Sequence, residues 1–351
     1  MSSKKDIDNN FAAIEPGERR GAPGLSDIAR LTGVSKMTVS RVLRGGTGFS
    51  EETAQRVLSE ARRLGYVPSR LASAFAADRA STLVGVCVPR LTSGLFGNVL
   101  DGLDRALSRL GFQMMIGCSN HSQPEEEEWV RHIVSWRPAG VILAGRSHSI
   151  GTVQMLSTSG IPVVEMWDLT TSPIDLSVGF SHYDCGVEMA RFALQKGRRR
   201  AAYLGAHSRS DVMGQSRLEG FAAALEEAGH PLVETEILED APSFYAGFYG
   251  LEILLARQPA LDLVYFHNDE MAIGGLAFCQ SRGLRVPEDI GIVGWGGMEA
   301  ASILPKRLTT TVVPTTGLGK QAAQALVARI RGEPTRRVIA VRTKLIEGET
   351  I

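Results

Sequence analysis

From Thr82 onward, short apolar runs alternate with longer stretches whose apolar residues repeat at helical spacing, and this alternation limits the fold more than any other feature of the chain. Leu83–Val88, Gln113–Ile116, Gly140–Ala144 and Ile161–Glu165 have the length and bounding turn residues of strands, with helices predicted near 97–110, 124–136 and 150–159. A second series, Leu176–Gly179, Ala201–Leu204, Glu234–Ile237, Leu263–Phe266 and Gly291–Gly294, alternates with helices near 184–196, 214–228, 244–257, 269–282 and 317–331. Strands separated by helices are joined by crossovers and so run parallel, which predicts two doubly wound α/β lobes. Pro124 followed by Glu125 to Glu128 has the form of a helix start, with proline and acids in the first turn, and is not read as a metal site.

Ahead of these lobes the pattern changes to two short amphipathic helices within Gly24–Leu43. Leu25, Ile28, Ala29 and Leu31 repeat at helical spacing, Gly33 stands where the first helix must end left-handed, and Ser35 can cap the second. Val39, Val42 and Leu43 face the first helix, leaving Lys36, Met37, Thr38, Ser40 and Arg41 outside, with Ser35 and Arg44 at the two ends. Such a face can contact base edges and phosphates from a major groove. An ordinary helical hairpin would show the same pairing. A third helix argues for the DNA-reading alternative: Ser50 caps it, Glu51 and Glu52 suit its first turn, Ala54, Val57, Leu58, Ala61 and Leu64 form its apolar side, and Gly65 closes it. Charge agrees. The whole chain has a formal net charge of zero, yet residues 23–79 hold nine Lys/Arg against five Asp/Glu.

With 351 residues, 44% of them hydrophobic, two or three domains and a large buried core are expected. Cys87, Cys118, Cys185 and Cys279 are far apart and show no zinc or redox spacing, so they read as buried thiols. No apolar run is long enough to span a bilayer and the first residues hold no signal core, which predicts a cytoplasmic protein. Residues 1–22 lack periodicity and read as a disordered lead-in.

The motifs Ala-Arg-Leu-Thr-Gly-Val-Ser, Thr-Val-Ser-Arg-Val-Leu and Leu-Gly-Tyr-Val-Pro occur in this order at family spacing, and by them the chain resembles the LacI/GalR family of bacterial transcription regulators. The resemblance implies an all-α helix-turn-helix domain at 23–67, a hinge helix and linker at 68–81, and a two-lobed core of the type I periplasmic-binding-protein kind at 82–351. In the hinge, Ser69 and Arg70 would meet DNA and Phe75 would wedge into a base step of the minor groove, where the family usually has leucine. Lobe 1 would span about 82–180 and 313–335, lobe 2 about 181–312 and 336–351, with Val338–Ile346 as a last strand in lobe 2. No leucine heptad follows, so a homodimer on a pseudo-palindromic operator is expected.

The family binds its effector at the carboxyl ends of the strands, between the lobes. Thr92, Ser93 and Phe96 follow the first strand, and Arg146 and His148 the third. Gln215-Ser-Arg-Leu-Glu-Gly-Phe221 resembles the stretch whose arginine holds the effector, here Arg217; Phe244, Asn268, Asp269 and Trp295 fall in other contact segments, and Asp269 could equally cap a helix. Relatives that bind neutral sugars carry Asp after the aromatic of Val-Gly-aromatic, whereas here Val293-Gly-Trp295 is followed by Gly296. Losing that acid while keeping Arg217 and Arg146, with His148 as a further donor, favours an anion, a sugar acid or equally a phosphorylated sugar, and the stretches around 91–96, 145–149, 162–168 and 175–181 look most like the gluconate-utilisation repressor branch. No cofactor or metal is implied. A transport solute-binding protein would have no use for residues 24–80, and no Ser-His-Asp motif, P-loop or paired metal ligands suggest an enzyme.

Overall fold

The structure, a computed structural model, describes residues 23–67, 81–91, 94–206 and 211–351. The expectations for the lead-in, for Ser69, Arg70 and Phe75 in the hinge, and for Thr92 and Ser93 lie outside the described residues. The chain divides into two units between residues 79 and 80.

The small unit consists of α1 (Leu25–Thr32), α2 (Lys36–Leu43) and α3 (Glu51–Arg63). Gly33 takes a φ of +70° and sends its N–H to the Ala29 carbonyl at 2.9 Å, which turns the chain sharply after α1. The Ser35 hydroxyl accepts from the Thr38 N–H at 3.1 Å, and Ser50 does the same for Thr53 at 3.2 Å. Ile28, Val39, Val42, Val57 and Ala61 close around one small core. Leu31 and Leu58, read as part of the apolar faces, are 43% and 36% exposed. Thr32 is buried beside Ile28 instead, its hydroxyl donating to the Ile28 carbonyl at 2.6 Å, so its polar atom is satisfied within the helix.

In the large unit, β1 (Leu83–Val88), β2 (Gln113–Cys118), β3 (Gly140–Ala144), β4 (Val163–Asp168) and β5 (Leu176–Phe180) build one sheet. A second contains β6 (Ala201–Ala206), β7 (Glu234–Leu238), β8 (Leu263–Phe266), β9 (Gly291–Gly296) and β10 (Thr309–Val312). Two short strands, β11 (Val338–Ala340) and β12 (Lys344–Ile346), complete them, giving the orders β11-β5-β4-β3-β1-β2 and β12-β10-β9-β8-β6-β7. All pairs are parallel except β10 with β12. The covering helices are α4 (Gly94–Arg109), α5 (Gln123–Ser135), α6 (Ile150–Ser159), α7 (His182–Gln195), α8 (Val212–Glu227), α9 (Phe244–Arg257), α10 (Asp269–Ser281), α11 (Glu299–Ile303) and α12 (Thr315–Ile330). None of the described helices is long and apolar enough to cross a membrane.

The lobes are joined three times: after β5, after β10, and between β11 and β12. This corrects the reading of Val338–Ile346 as one strand of lobe 2. β11 pairs with β5, and the Val341 N–H bonds the Gly179 carbonyl at 2.7 Å, so the chain stays with the first sheet until residue 341 and crosses only there. Cys87, Cys185 and Cys279 are buried thiols and Cys118 is half-buried.

Helices α7 and α8 touch backbone to backbone. A Cβ on Gly186 would lie 2.0 Å from the Arg217 carbonyl oxygen, and one on Gly220 would lie 2.1 Å from that of Tyr183. Only glycine permits this approach, and it fixes the turn of α8 that carries Arg217.

Candidate functional site

On the small unit, Lys36, Met37 and Arg41 are exposed on the outer side of α2, and Thr38, Ser40 and Arg44 are half-buried. Met37 is 69% exposed, a large apolar side chain the domain itself does not use. The Arg41 stem lies on the turn at Gly45–Gly48, close enough that a Cβ on Gly46 would come within 2.7 Å of its Cγ. Arg44 bonds the Ser40 carbonyl through Nε at 3.0 Å, and the Ser35 hydroxyl is occupied in capping α2. The residues predicted to read DNA thus lie along α2 and at its ends, where Ser35 and Arg44 are engaged by the helix itself.

In the large unit, strand ends from both lobes surround a cavity of ≈ 410 Å³. Phe96, Arg217, Asn268, Asp269 and Trp295 line it, together with Trp167, Asp211 and His267, which sequence reasoning did not single out. Its wall is aromatic. Trp167 lies 4.7 Å from Phe96 and 6.1 Å from Trp295 between ring centroids, and His182 lies 5.3 Å from Trp295. Trp167 has a φ of +86°, a left-handed conformation that costs a bulky residue on the order of 1 to 3 kcal/mol and that the neighbouring rings hold in place.

Arg217 is 2% exposed, with its Cζ 3.8 Å above the Trp295 ring. Its Nη1 donates to His182 Nδ1 at 2.8 Å and its Nη2 to the His267 carbonyl at 2.9 Å. A guanidinium has five N–H donors and no acceptor, so His182 Nδ1 must be the unprotonated nitrogen and the ring's single proton sits on Nε2. Burial, with the charge of Arg217 next, holds the His182 pKa well below the usual range, and the ring stays neutral. His182 Nε2, Arg217 Nε and Trp295 Nε1 are buried donors that have no acceptor among the described residues. Arg217 and Trp295 belong to the cavity lining, whereas His182 lies behind them.

The acids here are largely committed. Asp211 caps α8, accepting from the Gly214 N–H at 3.0 Å, and stands 3.4 Å from His267 Nε2. Burial would raise its pKa, but His267 and Arg217 hold it below the ordinary carboxylate value. Asp269 accepts from the N–H groups of Gly297 at 2.7 Å and Met298 at 2.6 Å and from the Thr310 hydroxyl at 2.5 Å. It clamps the loop after β9. The cap of α10 is Asn268, one residue earlier than considered, accepting from the Met271 N–H at 3.0 Å. Gly296 and Gly297 take φ values of +124° and +79°, a backbone shape that disfavours a side chain at either position.

Three sequence candidates lie elsewhere. His148 is buried between Glu126, 2.7 Å from its Nδ1, and Glu165, 3.6 Å from its Nε2, and does not line the cavity. Burial opposes its charge, but the two carboxylates outweigh burial and push its pKa up to about 9. The cleft therefore loses this donor to a structural ion cluster. Arg146 lines a neighbouring compartment of ≈ 420 Å³, with its Nε 2.9 Å from Asp168 Oδ2. Phe244, first residue of α9, is 48% exposed and outside the lining. Trp167, Asp168, Asp211, His182 and His267 were missed because each follows or ends a strand in a context as ordinary as any solvated edge; only the Asp-x-x-Gly cap at Asp211 carried a local signal.

Comparison with known proteins agrees with both units. Residues 24–69 match the model of bacterial regulatory proteins of the lacI family, and residues 190–351 match that of the periplasmic binding protein-like domain. The chain is 38% identical to the HTH-type transcriptional regulator GntR of Pseudomonas aeruginosa, over 90% of this chain and 92% of that protein. The chain belongs to the LacI family of transcriptional regulators. GntR of Escherichia coli K12 is 34% identical over 90% of this chain and 94% of its own length. A solved LacI family regulator from Silicibacter pomeroyi shares the fold with a TM-score of 0.89 at 35% identity, covering 93% of this chain and 99% of its own. As a member of the LacI family close to GntR-type regulators, the protein is a DNA-binding transcriptional regulator and not an enzyme.

Proposed function

We infer that the protein is a repressor of a sugar-acid utilisation operon, and that a gluconate-type anion bound between the lobes of the core releases it from its operator. Two copies would read a pseudo-palindromic site, each placing Lys36, Met37, Thr38, Ser40 and Arg41 of α2 in a major groove, because one such helix reads too few base pairs for useful specificity. The observation that carries the effector reading is the buried guanidinium of Arg217, stacked on the Trp295 ring in the lining of the cavity. A carboxylate answers such a wall, and a guanidinium holds one by charge-assisted bonds stronger than neutral ones. The ≈ 410 Å³ cavity falls within the size range of small-ligand sites. The sequence resemblance to gluconate-utilisation repressors supports the same reading.

Isothermal titration with gluconate, glucose and a sugar phosphate tests the reading. Gluconate is expected to bind and, added to a gel shift, to release a palindromic operator. Tight binding of glucose with none of gluconate would refute it.

A further inference from the structure

Asp168, the last residue of β4, stands at the border of the two compartments of the cleft. Its neighbour Trp167 lines the larger one, Asp168 lines the smaller, and the two share His121 and Met213. The Asp168 side chain is only 3% exposed. Its Oδ2 lies 2.9 Å from Arg146 Nε in a charge contact and makes no hydrogen bond among the described residues. Arg217, held by α8 in the other lobe, adds its own field at the same carboxylate. One buried acid therefore answers guanidinium groups from both lobes.

An anionic ligand that approaches Arg217 or Arg146 brings a second carboxylate to that place. Two buried carboxylates sharing the same cations cannot both keep their charge cheaply, and the one already enclosed by protein can shed its charge by protonation. We propose that Asp168 is the internal counter-ion of the ligand-free cleft and takes a proton from solvent when an anionic effector binds, so that effector binding is linked to proton uptake. The proposal rests on the anionic-effector reading above.

The surroundings suit the exchange. Burial pushes the Asp168 carboxyl up to about 6 against the pull of Arg146 and Arg217, and the Asp211 carboxylate adds to the rise. The acid is thus ionised at neutral pH but close to taking a proton. The other ionisable groups around it are Glu126 and His121 across the smaller compartment, and His182 and His267 beside Arg217. His182 is held neutral, and Glu126 is paired with His148. His267 stands 3.4 Å from Asp211 and is a competing proton acceptor beside Arg217.

Titration of the full-length protein with gluconate, in buffers of equal pH and different ionisation enthalpy, reads the exchange directly. At pH 7.5 uptake approaching one proton per gluconate is expected, and the Kd should weaken roughly twentyfold from pH 5.5 to pH 7.5. Asp168→Asn, with its fold checked by thermal melting, should abolish the uptake, flatten the pH profile and bind gluconate more tightly than the parent at pH 7.5; a merely structural role would weaken binding at every pH. Gluconate binding without proton exchange overturns the proposal and leaves the anionic reading standing. Uptake that persists in Asp168→Asn and disappears in His267→Gln overturns it in favour of His267. No binding of gluconate or of a sugar phosphate overturns both.

Discussion

The reading helix and the cleft are functional surfaces made in opposite ways. On α2 the residues proposed to meet DNA are those the three-helix core leaves over: Val39 and Val42 are buried, and Lys36, Met37 and Arg41 remain outside. In the cleft the chemistry sits on residues the fold has already enclosed and paired, such as Arg217 on His182 and Trp295, and Asp168 on Arg146. A surplus residue can be changed without cost to the fold. Removing an enclosed one such as Arg217 costs the fold, because its partners His182 Nδ1 and the His267 carbonyl are left without their donor.

The widest separation is expected at Arg217. Arg217→Ala should weaken gluconate binding by a hundredfold or more, about 3 kcal/mol, and also lower core stability by about 2 kcal/mol as His182 Nδ1 and the His267 carbonyl lose their donor. Titration calorimetry and denaturant melts read the two losses, while operator affinity in a gel shift stays at the parent value. A loss of binding with full stability would break the comparison.

His148 tests the enclosed side without any ligand. Its folded pKa of about 9 lies above the ordinary 6.5, so the charged ring stabilises the core fully below pH 6.5 and the stabilisation fades as pH rises through 9. The whole effect is about 3 kcal/mol, and thermal melts between pH 6 and 10 should show a fall in Tm that His148→Gln removes. A parent protein whose Tm is flat across that range would mean that Glu126 and Glu165 do not hold the charge.

Arg41 tests the surplus side. Arg41→Ala should cost 1 to 3 kcal/mol of operator affinity if it meets a base or a phosphate, and change stability by less than about 0.5 kcal/mol. Unchanged operator affinity in a gel-shift titration would remove Arg41 from the interface.

The same contrast explains what could be read from the sequence. Helix caps at Ser35 and Ser50, the turn at Gly33 and the alternation of strands and helices are local, and each is written within a few residues. Arg217 was found through the motif that surrounds it. Trp167 belongs to the cleft because the end of β4 meets rings distant in sequence, Phe96 and Trp295, and His148 leaves it because Glu126, 22 residues earlier, reaches back to take its Nδ1. The split of residues 338–346 between two sheets escaped for a similar reason: three residues suffice to change lobes, and nothing in their types marks the change. Long-range pairing of this kind has no short-range signature.

The left-handed pair Gly296–Gly297 carries an evolutionary consequence. An aspartate at 296, as in neutral-sugar relatives, would have to adopt a φ of +124° and press its Cβ to 3.0 Å from Leu95, while Asp269 clamps the following N–H groups in place. Strain of on the order of 1 to 3 kcal/mol stands against that single substitution before any sugar is bound. A side chain at 296 is therefore reached only together with a reshaped loop after β9, so the residue type at this position is tied to the backbone that carries it.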